Sequence, residues 1–251
     1  MNLLWRAKPA MLFFSAYSVS LCDTLLSSFN LLAYLRFMYN LSHFKEPDQA
    51  VVVEFMKQHP FAMLIGNAGE KAVATQIPLL FEEREGKMFL LGHMMRKQDH
   101  QTVFEKNANV LVVFTGPHTY VSATWYKDPH QASTWNYISV HARGTLSFLD
   151  EKGLEDALRK LTLHYEHQNP HSSTIFDNLT DEYKIPLLKA IVAFEIEVNS
   201  VEHVFKLSQN RDEESYHHIA EKLKEQGADA AEIAKMMEER KSKVFGQQNP
   251  E

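Results

Sequence analysis

Tyr137-Ile138-Ser139-Val140-His141-Ala142-Arg143-Gly144-Thr145-Leu146-Ser147-Phe148 is the stretch on which the fold turns. It is the longest strand candidate in the chain, with Val140, Leu146 and Phe148 to either side of Gly144. A glycine inside a long strand packs nothing against its neighbours and marks a bulge or a barrel corner. The stretch therefore predicts a curved sheet.

Toward the N-terminus, Asn109 to Thr115 is β-rich through Val110, Leu111, Val112, Val113 and Phe114, and beyond the Gly116-Pro117 turn His118 to Thr124 alternates Tyr120 with Ser122. Lys87 to Leu91, Val73 to Phe81 and Phe61 to Ile65 supply the earlier strands, the last two joined by a turn at Gly66-Asn67 and Gly69. Toward the C-terminus, Ala190 to Val198 completes the set. Helical spacing of Val52, Phe55 and Met56 predicts a helix over Gln49 to His59, closed by Pro60. Asp99 caps a short helix through Phe104. Leu154, Leu158, Leu161 and Tyr165 give one side of a helix over Glu151 to His167, and Asp181 to Lys189 is a shorter one containing Pro186. The end reads as a helical hairpin from about residue 210, with Asn210 and Glu213 as one capping box, Gly227 as the stop, and Asp229 with Glu232 as a second box. Strands at near-regular spacing with helices inserted and appended favour a barrel or sandwich over a parallel βαβ sheet.

The chain has 251 residues, 45% apolar, with 23% charged, and neither a repeat nor a linker long enough to separate autonomous domains. Residues 1–37 hold Arg6, Lys8 and Arg36 against Asp23, and setting them aside from 26 basic and 32 acidic groups leaves 23 and 31, a charge of −8 on the body. An acidic body disfavours a broad phosphate-binding face. The hairpin from Asn210 to Val244 has seven basic and nine acidic residues, so neither helix has the charge of a DNA recognition helix. Cys22 is the only cysteine and precedes the body, which excludes disulfides and cysteine metal sites there and suits a reducing, cytoplasmic setting. The apolar run Ala10 to Cys22 has the length of a signal-peptide core but is interrupted by Ser15, Ser18 and Ser20, closed by Asp23, and short for a bilayer span. Residues 1–37 are read as an N-terminal extension outside the fold, from translated upstream sequence or start-site choice, with residues 38–251 as one domain. No membrane partner is expected.

The body carries no GxGxxG, Walker, GxSxG or HExxH motif. Its chemistry lies in clusters at strand ends. Gly92-His93 leads to Arg96 and Lys97, which could neutralise a phosphate with Ser122 or Thr124 adding hydroxyl donors. Standing alone, such a pair is a solvated surface feature. Trp125, Tyr126, Trp135 and Tyr137 offer wide apolar faces with polar edges, suited to a planar ring, though such clusters are more often core or interface. Asn136 lies between Trp135 and Tyr137 and points away from both in a strand. His164 and His167 near Glu166 have helical spacing with no third ligand indicated, so no metal site is assigned. Ser122 or Ser208 paired with a histidine lacks any nucleophile turn.

Met38-Tyr39 with Phe44, Pro60-Phe61-Ala62, Ala74-Thr75 with Pro78-Leu79-Leu80, Gly92-His93, Gly116-Pro117-His118, Thr134-Trp135-Asn136-Tyr137 and Lys206-Leu207-Ser208-Gln209-Asn210-Arg211 occur in one fixed order. That order resembles the PaiB-like family of FMN-binding negative transcriptional regulators, over nearly all of residues 38–250. The resemblance implies an α+β fold with a six-stranded antiparallel split β-barrel of the FMN-binding type, added helices and a C-terminal helical hairpin. It also implies FMN as cofactor at the interface of a homodimer. By position, Arg96 and Lys97 suit the phosphate, Trp135, Asn136 and Tyr137 suit the ring or the partner subunit, and His93, Tyr120, Ser122, Lys206 and Gln209 complete the expected cofactor-binding set. Catalytic residues are not assigned. Three functions follow: a flavin-linked sensor or negative regulator with DNA or a regulatory protein as partner, a flavin-dependent oxidoreductase acting on a small molecule, or a cofactor-free interaction module.

Overall fold

The computed structural model describes residues 41–246; the N-terminal extension and its apolar run lie outside the described residues. Seven strands form one antiparallel sheet: β1 (Phe61–Ala68), β2 (Lys71–Pro78), β3 (Leu80–Arg84), β4 (Lys87–Met95), β5 (Asn109–Val121), β6 (Thr134–Phe148) and β7 (Ile191–Lys206), in the order β2-β1-β5-β6-β7-β4-β3. The resemblance implies six strands and the sheet has seven; the seven segments read from the sequence keep their number, because one divides while two fuse. Pro78 cannot donate to a ladder, and the Leu79 N–H is used by Pro60 O at 2.9 Å, so the stretch from Val73 to Phe81 divides into β2 and β3. The runs on either side of Gly116-Pro117 fuse into β5 through a register shift between Thr115 and His118. β7 continues past Val198, because Asn199 is accommodated as a bulge instead of ending the strand.

That bulge is where Gly144 acts. Arg143 pairs with Ser200 and Gly144 with Val198, leaving Asn199 unopposed. A Cβ on Gly144 would stand 2.4 Å from Glu197 O, so only glycine lets β7 approach this closely. The sheet bends there and curls. Leu64, Ile77, Leu90, Val112, Phe114, Val140, Phe194 and Phe205, from six strands, meet in one buried cluster, which a flat sheet of this order could not achieve. Each buried phenylalanine contributes roughly 1.5–3 kcal/mol. The edges β2 and β3 are not hydrogen-bonded to each other, so the curl stays open, with Leu79 carrying the chain from one edge to the other.

Among the described residues six α-helices flank the sheet: α1 (Gln49–Gln58), α2 (Asp99–Lys106), α3 (Glu151–Tyr165), α4 (Asp181–Ala190), α5 (Glu213–Lys224) and α6 (Ala228–Phe245). α1 is capped by Asp48 and buries Val52, Phe55 and Met56, as its spacing indicates. α3, capped by Asp150 onto the Gly153 N–H, covers the outer face of β4 and β7 through a second cluster containing Leu91, Leu154, Leu158 and Ala193. The terminal pair shares the main core through Tyr216, Ile219, Ile233 and Met237. Its first cap is Asp212, whose carboxylate accepts from Ser215 N, and not Asn210; α6 follows Gly227 at its N-cap, without a side-chain cap from Asp229 or any other residue.

Candidate functional site

Two clusters of the expected site residues lie at opposite ends of β7. The first is built by β5, β6 and β7, where Tyr120 pairs with Trp135, His118 with Tyr137, and Tyr137 with Lys206. Cross-strand partners share a face, so these five side chains stand together. Trp135 is 53% and Tyr120 48% exposed, with ring centroids 6.1 Å apart and planes at 71°. His118 lies 6.2 Å from Trp135 and pairs with Asp229 at 3.6 Å. Lys206 Nζ donates to Thr134 Oγ1 at 2.5 Å, and burial, then the nearby Arg211 charge, lowers its pKa. An exposed indole with a phenol at its edge is a ready wall for a flat ring.

The intervening residues face the other way. Asn136 is fully buried; its Oδ1 accepts from Ser208 Oγ at 3.0 Å and its Nδ2 reaches Met237 Sδ at 3.6 Å. It joins the sheet to the turn after β7 and to α6. Gln209 also serves that turn, accepting from Leu207 N at 2.7 Å and donating to Phe205 O at 2.5 Å, while Ser208 takes φ 62°. Ser122 caps the short turn Ala123–Trp125, accepting from Thr124 N at 3.3 Å.

The second cluster is at the end of β4. His93 pairs with Ala193 and lines a cleft of about 360 Å³ with Thr75, Gln76, Met95, Gln98 and His100; burial holds its pKa below the usual value, so the ring is neutral at pH 7. Beyond it, Arg96 N donates to Ala190 O at 2.8 Å, and Lys97, at φ 63°, donates its N–H to Gln101 Oε1 at 2.6 Å. Arg96 opens into a neighbouring cleft between α3 and α4, shared with Glu151, Glu155 and Lys189. Among the described residues neither Arg96 nor Lys97 is engaged in an ion pair or a side-chain hydrogen bond. Uncommitted adjacent cations meet the charge requirement of a phosphate monoester, and the aromatic wall meets the shape requirement of a flavin ring, so the residue types fit FMN.

They do not meet within one chain. Met95 pairs with Ile191 and Tyr137 with Lys206, so about fifteen residues of β7, roughly 50 Å of strand, separate the clusters. Arg211, absent from the expected set, neighbours the aromatic cluster, its guanidinium 4.0 Å from the Tyr126 ring centroid. The sequence contained it in the Lys206 to Arg211 run without any sign of what it would face.

The chain belongs to the family described as "Putative FMN-binding domain", whose profile matches residues 38–200, and FMN is the cofactor of that family. It is 31% identical over 207 residues, 82% of this chain and 99% of the relative, to Protease synthase and sporulation protein PAI 2 of Bacillus subtilis. An uncharacterised protein of Saccharomyces cerevisiae is 31% identical over 109 residues, covering 41% of this chain and 64% of the relative. Among solved structures, the FAD and heme binding protein of Mycobacterium smegmatis aligns with TM-score 0.47 and 16% identity over 64% of this chain and 72% of that one. The flavocytochrome Anf3 of Azotobacter vinelandii aligns with TM-score 0.46 and 16% identity over 68% and 73%. No helix of the described residues is long and apolar enough to cross a membrane.

Proposed function

We propose that the protein is an FMN-binding split-barrel homodimer acting as a flavin-linked sensor or negative regulator. The observation that carries the reading is the separation of the two clusters along β7. One protomer cannot bring Arg96 and Lys97 to the same small cofactor as Trp135 and Tyr137, whereas a two-fold pair of chains can, with the cation end of one facing the aromatic end of the other. In this arrangement Arg96 and Lys97 hold the phosphate, with His93 and Ser122 as neutral hydrogen-bonding groups of the surround. Trp135, Tyr137 and Tyr120 exclude water from one face of the ring, and Lys206 supplies positive charge at its edge. Asn136 and Gln209 keep β6 and the turn after β7 in place. Bound FMN supplies reversible electron acceptance, and the protein positions it.

Regulation through a protein partner fits better than groove reading by the terminal hairpin. The hairpin's charges are largely used internally, Lys241 on Glu213 at 3.3 Å and Lys222 on Glu225 at 3.2 Å, with Lys224 on Glu238.

Titration of the purified chain with FMN tests the cofactor site. The expected outcome is saturable binding, weakened about tenfold or more in the Arg96→Ala, Lys97→Ala double variant, since charge-assisted hydrogen bonds contribute about 1.5–3 kcal/mol. Unchanged affinity would reject the phosphate assignment. A single-chain mass by light scattering with FMN bound would reject the dimer, and nicotinamide-dependent turnover would move the reading to an oxidoreductase.

A further inference from the structure

A cleft of about 370 Å³ opens where the segment before α1 meets the end of α6, and the function proposed above leaves it unused. Lys45, Arg240 and Lys243 line it with Glu46 as its one carboxylate, so three positive charges stand against one negative and, with His43 counted neutral, the cleft carries +2. The body around it, residues 38–251, carries −8. The other clefts of the site description lack this imbalance. The one beside Arg96 sets Arg96 and Lys189 against Glu151 and Glu155, and the one beside His93 holds neither a lysine nor an arginine.

The carboxylate lies behind the cations. Glu46 is buried and both its oxygens are occupied: Oε1 accepts from Lys243 Nζ at 2.6 Å and from Asp48 N at 3.1 Å, and Oε2 accepts from Arg240 Nη1. The Lys243 side chain is 49% exposed, and an ammonium with three donors keeps some for the opening. Lys45 is tied from the sheet side, its Nζ donating to His203 O at 2.9 Å while His203 Nε2 accepts from Glu46 N at 3.0 Å. Among the described residues Lys45 has no carboxylate partner. The Arg240 guanidinium stands 4.8 Å from the Phe205 ring centroid, which fixes its plane. Asp48, the nearest further acid along the chain, is spent on the cap of α1, accepting from Ala50 N at 2.9 Å. Three cations held in place with one carboxylate repel one another. An anion entering the cleft relieves that repulsion and meets donors that are already oriented.

We infer that Lys45, Arg240 and Lys243 form a second anion site, separate from the flavin, that takes the phosphate group of a small phosphate monoester. Such a group carries about −2 at neutral pH, which matches the charge of the cleft, and it accepts directed N–H bonds on three oxygens. The volume is that of a small-molecule site and admits an organic remainder beside the phosphate, against Pro47 and Val244. Glu46 and His203 are positioning residues that hold the cations without touching the anion. The inference does not rest on the flavin reading. Gln209 alone is shared with the expected cofactor set, and its amide is spent on Leu207 N and Phe205 O in its own turn.

Calorimetric titration of the full chain with phenyl phosphate, and in parallel with inorganic phosphate, is the test, run with FMN present on wild type, Lys45→Gln, Lys243→Gln and the Arg96→Ala, Lys97→Ala double variant. Wild type should bind phenyl phosphate saturably and about threefold or more tighter than inorganic phosphate. Lys45→Gln and Lys243→Gln should each weaken binding by about 3–10-fold, with the double variant unchanged. FMN affinity should be unchanged in Lys45→Gln. Absence of saturable binding in wild type would overturn the inference. Unchanged phosphate affinity in Lys45→Gln would overturn it too, and this variant decides the matter if Lys243→Gln does not fold, since Lys45 is not bonded to Glu46. Loss of phenyl phosphate binding in the double variant, or of FMN binding in Lys45→Gln, would reveal one flavin phosphate site and remove the second. Equal affinity for the two probes would overturn the ester as ligand. Failure of wild type to bind FMN would sink the flavin reading while the phenyl phosphate result still judges the cleft.

Discussion

Asn136 lies between two aromatic residues of β6, yet its amide points into the protein, accepting from Ser208 and reaching Met237 on α6. The alternation of a strand sends it there: Trp135 and Tyr137 face out, so Asn136 faces in. Its conspicuous setting in the sequence is therefore compatible with a packing role. Asn136→Ala leaves the Ser208 hydroxyl without its acceptor and should cost about 1–3 kcal/mol in urea denaturation. FMN affinity should stay within experimental error. A large loss of affinity at full stability would return the amide to the cofactor.

β6 and β7 carry the curvature of the sheet, and the point of bending is the pair Gly144 and Asn199. A strand of fifteen or sixteen residues paired in perfect register would run straight on with only its natural twist. The extra residue on β7 bends it, and the missing Cβ on β6 lets the backbones close to contact. Gly144→Val places branched carbon against Glu197 O and the Ile196 side chain, and because backbone cannot yield as a side-chain tip can, a loss on the order of 3 kcal/mol is expected. Thermal unfolding reads it directly, and an unchanged midpoint would remove the bulge as the cause of the curl.

At the scale of the whole described body, residues 41–246, the two ends are tied together by Glu46, which precedes α1 and is 2% exposed. Arg240 and Lys243 from α6 donate to its two carboxylate oxygens, and its own N–H donates to His203 Nε2 at 3.0 Å. Burial alone would raise its pKa; the hydrogen bonds of Lys243, the Asp48 N–H and Arg240 outweigh that and hold it below the ordinary value. A carboxylate with a depressed folded pKa contributes stability that is fully present above its unfolded pKa, near 4.3, and is lost as pH falls through the folded value. Glu46→Gln should therefore destabilise by about 3 kcal/mol at pH 7, by leaving two cations without their partner. The difference from wild type should shrink as pH falls from about 4.3 through the lower folded value, below which both chains carry a neutral group. A difference independent of pH in denaturation midpoints would show that charge is not what Glu46 contributes. His203 is held below its ordinary pKa by burial and the Lys45 charge, with Glu46 partly offsetting them, so Glu46→Gln lowers it further.

The amino-acid sequence by itself determined the class of fold, the bend at Gly144, the apolar face of α1 and, through its ordered motifs, the FMN-binding family, because periodicity, turn chemistry and motif order are local properties of the chain. It also held every residue of the two clusters. Tertiary structure decided how many strands there are, since whether Pro78 and Asn199 end a strand depends on what pairs beside them. It also decided that Asp212 and not Asn210 caps α5, that Asn136 turns inward, and that Arg96 and Trp135 stand at opposite ends of one long strand. Distances between residues far apart in sequence are set by sheet order and register, which no local pattern encodes.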